Sequence, residues 1–158
     1  MLWFKKKERV EDFMENIMGK TLPRSLEYFR KENERVHRPL SIKDSVLAEV
    51  GAGMCLFYLG KHFPEDDAAE RRKMSRAFRV VEKHIGALNG TAGHVHTWWK
   101  AFTDGLIFHE NEERLTIASR VAWDKLLPDI PYREPSPLKA FAYYLHMEMD
   151  AADKVKLI

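Results

Sequence analysis

Hydrophobic positions recur every three or four residues along most of the chain, and the pattern resolves into seven helical segments separated by turn-forming residues. The first covers about residues 8–18, where Val10, Phe13, Met14, Ile17 and Met18 share one face. Gly19 reads as its C-terminal stop. Thr21 reads as the cap of a second segment that carries Pro23 in its first turn and continues to about residue 36. Pro39 disfavours helix at Arg38, and Ser41 with Asp44 marks the start of a third helix over about 42–61. That helix is apolar on nearly every side and holds Gly51, Ala52 and Gly53. It is therefore predicted to be central, with a neighbouring backbone close to its small residues.

The fourth segment starts at an Asp67–Glu70 capping pattern and ends near Leu88, before the turn signal Asn89-Gly90. Thr91 reads as the cap of the fifth, which extends to about residue 108. The sixth covers about 112–127, with acids in its first turn where the helix dipole favours them. Four prolines between positions 128 and 137 then predict an extended, linker-like stretch. Ser136-Pro137 opens a seventh helix, in which Leu138, Phe141, Ala142, Leu145 and Met149 form one apolar stripe. No segment alternates as a strand does. The expected fold is all-α, an irregular orthogonal bundle of about seven helices. Residues 1–127 form its core, 128–137 the linker, and 138–158 a terminal element packed on that core or on a neighbouring chain.

Composition narrows the picture modestly. A chain of 158 residues suits one compact domain and buries enough surface to fold without staples. The balance of 26 basic and 24 acidic residues leaves a net charge of +2, too mild to argue for nucleic acid. The single cysteine, Cys55, excludes an internal disulfide and a multi-cysteine zinc site, which favours a reducing, cytoplasmic setting. The opening MLWFKKK has the wrong order for a secretory signal. The longest apolar stretch, 46–59, is broken by Glu49 and is too short for a transmembrane segment.

Candidate chemistry is sparse. His94 and His96, in the stretch GHVHTWW, would project about 200° apart on a helix and cannot share one metal. They flank the stripe of Val95, Trp98, Trp99, Phe102 and Leu106, which reads as core-facing. His109 with Glu113, near Glu110 and Glu112, is the candidate metal pair, aligned if helix continues through it. Glu34 to His37 has the spacing of a di-iron ligand pair, but the required second copy is missing. Haem is the other cofactor considered, with His84 or His109 as the axial ligand. Gly19-Lys20-Thr21 echoes a phosphate loop, yet Met14 occupies the position of the first glycine. Cys55 lies within an apolar helix, where a thiol normally packs inertly.

The surface feature with the clearest geometry is a basic face on the fourth helix: Arg72, Arg76, Arg79 and Lys83, with no acid among them. It reads either as a solvated face or, more sharply, as a docking surface for an acidic protein, lipid headgroups or nucleic acid, assisted at a membrane surface by Leu2, Trp3 and Phe4 ahead of Lys5 to Lys7. The leading functional expectation is a non-catalytic module that binds protein partners, including copies of itself. Its rivals are a metal- or haem-binding protein using His109 and nearby carboxylates, and a binder of anionic surfaces through the fourth helix.

Overall fold

The computed structural model describes residues 4–109 and 111–158 and shows an all-α fold with one very small sheet. Its elements are β1 (Lys6–Glu8), α1 (Val10–Asn16), a π turn (Ile17–Thr21), α2 (Leu22–Arg35), α3 (Asp44–Leu59), α4 (Ala68–Ile85), α5 (Ala92–Phe108), α6 (Arg114–Leu126), α7 (Pro137–Met149) and β2 (Val155–Leu157). Single 3-10 turns extend α3, α4 and α7. No helix is long and apolar enough to cross a membrane.

Helices number six rather than seven among the described residues, because α1 and α2 are one continuous helix. Gly19 does not stop it. The buried positions Val10, Phe13, Met14, Ile17, Met18, Leu22, Leu26 and Phe29 keep the helical spacing on both sides of the glycine. Burial of that stripe outweighs the roughly 1 kcal/mol that a mid-helix glycine costs. The join is a π turn in which the Leu22 N–H donates to the Ile17 carbonyl. Pro23 explains why the turn widens there: it offers no N–H, and its ring crowds the carbonyl four residues back. Thr21, expected as a cap, is itself helical.

α3 forms the centre, and every residue from Leu47 to Leu59 is buried. It packs most extensively against α5, and also touches α2, α4, α6 and α7. Gly53 lies directly under α5, where a Cβ would stand 2.7 Å from Trp98 Cβ and 3.1 Å from the Trp99 backbone nitrogen. Glu49, the one carboxylate on α3's buried length, is anchored at the start of α5. It accepts from the Thr91 N–H at 2.7 Å and lies 2.9 Å from His94 Nδ1. The turn before it uses Asn89 at φ 60°, a left-handed conformation that asparagine tolerates.

The C-terminal third adds contacts that close the fold. The proline-rich stretch is attached to the fold: Trp123 Nε1 donates to the Ile130 carbonyl at 2.8 Å, and Tyr132 meets the Trp123 ring edge-on. Beyond it, α7 buries Leu138, Phe141, Ala142 and Leu145 against α2, α3 and α6 of its own chain. A parallel pair, β1 with β2, was not expected at all. It sets Lys6 opposite Val155, Lys7 opposite Lys156 and Glu8 opposite Leu157. Three-residue strands are too short to show alternation in a sequence.

Candidate functional site

α5 carries the histidine–tryptophan stretch, and its two histidines point apart as helical geometry requires. His94 joins Glu49, whereas the His96 ring meets Phe78 and Trp99 edge-on, with centroids 5.9 and 5.8 Å away. Val95 and Phe102 are fully buried. Trp98, Trp99 and Leu106 are only partly buried, so the stripe is not wholly core. Its outer members form one wall of a groove.

The basic face of α4 is largely answered from within the chain. Arg76 Nε donates to Glu11 Oε1 at 3.0 Å, and Arg76 Nη2 reaches the Ile158 carbonyl at 3.0 Å. Lys83 pairs with Glu15 at 3.1 Å, and His84 Nε2 contacts the other oxygen of the same carboxylate. The face holds no acid of its own because α1 supplies the acids across the helix pair. Arg72 and Arg79 stay exposed and make no ion pair among the described residues. Arg76 therefore joins α1 and α4 to the residue that follows β2, and reversing its charge would disturb folding as well as any docking.

These pairs make the fold sensitive to acid. The Arg76 guanidinium holds the Glu11 pKa down at about 2, and the hydrogen bond from His84, then that from Lys83, lowers the Glu15 pKa. A carboxyl whose pKa is depressed by folding contributes stability that is complete above its ordinary value and lost as pH falls. Stability is therefore expected to decline as pH drops from about 4.5 towards 2. Denaturant midpoints across this range should fall less steeply for Glu11→Gln than for the unsubstituted protein. Identical slopes would show that the pair does not couple folding to protons.

The candidate metal pair is separated by a turn. α5 ends at Phe108 and α6 begins at Arg114, so His109 and Glu113 do not share a helical turn. His109 Nδ1 instead lies 3.8 Å from Glu112 Oε2, and Glu113 is exposed at the position before α6. Glu110 lies outside the described residues, as do Leu2 and Trp3. Among the described residues, no three histidine, cysteine or acidic side chains are grouped to hold a metal ion. The acids expected in the first turn of the sixth helix precede it, because the helix starts two residues later than predicted. Burial pushes the Cys55 thiol up to about 12, which keeps it protonated and unreactive.

A groove of about 620 Å³ lies between the end of α3, α4 and α5. Phe57, Phe63, Met74, Trp99, Leu106 and Ile107 line it. Arg114 is fixed in its wall: Nη1 donates to the Phe57 carbonyl at 2.7 Å, and the guanidinium lies 4.6 Å from the centre of the Phe57 ring. Arg71 sits at the rim, donating to the Glu65 carbonyl. Beside the groove, the last turn of α5 projects Ile107 and Phe108 into solvent, 70% and 82% exposed. Apolar periodicity finds α5 but cannot show that its final turn outruns the core. No protein-family model matches the sequence, and comparison with curated proteins and with solved structures gives no match, so the site is read from its own geometry.

Proposed function

We propose that the protein is a non-catalytic helical interaction module whose partner at the groove is a second copy of the chain. The observation that carries this reading is the side-by-side placement of an apolar projection, Ile107 and Phe108, and an apolar groove. A two-fold axis between two such faces lets each copy insert its projection into the other's groove, the self-complementary arrangement of most homodimers. Large apolar side chains exposed beside a groove mark association surfaces.

Sedimentation equilibrium tests the proposal. The unsubstituted protein is expected to dimerise at micromolar to millimolar concentration. The double variant Ile107→Asp, Phe108→Asp is expected to be monomeric with its helical content and unfolding midpoint unchanged, since both side chains are mostly in solvent already. A monomeric unsubstituted protein, or a double variant that dimerises equally well, would overturn the reading.

A further inference from the structure

On the other side of Phe63 lies a second cleft, of about 580 Å³, framed by β1, β2 and the side of α4. Lys5, Lys7, Lys73 and Lys156 all line it. Lys73 is neutralised by Glu70 at 3.0 Å, and His62 Nε2 lies 2.9 Å from Asp153 Oδ1. Lys5, Lys7 and Lys156 have no carboxylate within ion-pairing distance among the described residues. The strand pairing sharpens the point. Lys5 precedes β1, and Lys156 stands directly across from Lys7 in the strand pair. Like charges facing each other across strands are destabilising. Among the described residues no carboxylate pairs with either lysine, whereas Arg76 and Lys83 of α4 are met by α1. Three lysines without a carboxylate partner among the described residues line one concavity, and lysine serves phosphate as a point charge.

We propose that this cleft binds a small, freely soluble phosphorylated molecule, its phosphate groups held by Lys5, Lys7 and Lys156. The cleft's volume of about 580 Å³ lies within the range of small-molecule sites. The site is independent of dimerisation through the groove, and it places anion recognition at the paired strands instead of on the exposed face of α4.

Titration calorimetry with inorganic pyrophosphate, on the full chain at low ionic strength, tests the site. Binding is expected to weaken as salt is added. The double variant Lys7→Gln, Lys156→Gln should lose about tenfold or more in affinity, the scale of losing a hydrogen bond between charged groups. Lys100→Gln, at an exposed lysine on α5, should bind as the unsubstituted protein does. A thermal melt adds a readout that a purely structural role would reverse. Without pyrophosphate the double variant should melt higher, because repulsion across the strands is relieved, and pyrophosphate should raise the melting point of the unsubstituted protein alone. The Ile107→Asp, Phe108→Asp variant should retain pyrophosphate binding, so failure of the groove reading leaves this one standing. No binding by the unsubstituted protein overturns the proposal, as does equal loss in the Lys100→Gln control. Retention on phosphoinositide-containing vesicles without affinity for free pyrophosphate also overturns it, in favour of a lipid surface.

Discussion

Phe102→Ala is expected to lower stability by about 3–5 kcal/mol, the range for aromatic truncation in a close-packed core. Phe102 is completely buried on α5, between Phe57 of α3 and Trp98 of its own helix, with ring centroids 5.8 and 5.7 Å away. Its removal leaves a hollow at the most extensive contact in the molecule, where α3 is buried on every side and cannot move inward to fill it. Equilibrium unfolding in urea should show the midpoint falling at unchanged slope. A loss below about 1 kcal/mol would mean that the α3–α5 contact repacks freely, contrary to the geometry.

Gly53→Val is expected to cost about 3 kcal/mol or more, the upper part of the range for overpacked cores. The reason differs from the first case, because here the fault is an excess of volume. A Cβ at position 53 would meet Trp98 Cβ at 2.7 Å and the Trp99 backbone nitrogen at 3.1 Å, and neither is the far end of a flexible side chain. Relief requires α5 to move away from α3 as a whole. Gly19→Ala provides the contrast. Position 19 has nothing within 4 Å of an added Cβ and lies inside a continuous helix, so alanine should stabilise by up to about 1 kcal/mol. Equal effects of the two changes in urea unfolding would contradict the packing described.

Much of this frame was legible in the residue pattern. The stripes of α4 and α7, the caps at Asp67 and Ser136 and the close approach at Gly53 are local properties, or direct consequences of residue size. Several misreadings share one physical cause, namely contacts made far away along the chain. Gly19 looks like a helix end because its propensity is local, whereas the stripe that carries the helix past it is held by tertiary burial. The cations of α4 look unopposed because Glu11 and Glu15 are more than sixty positions away in sequence. Leu106 continues the apolar stripe of α5, yet the helix leaves the core before that stripe ends, and the groove opens there. Lys7 and Lys156 give no sequence signal of being neighbours, because each belongs to a strand of three residues.

That pairing of β1 with β2 carries a consequence for the order of folding. Joining segments so remote requires closing a loop that spans nearly the whole described chain, and the entropy lost grows with the logarithm of its length. Three residue pairs of ladder cannot offset that loss alone, so the strands meet only after the helices between them have docked and shortened the gap. The lysine cleft thus belongs to the last stage of assembly. A chain whose helices have formed but whose strands remain apart has every lysine and no cleft.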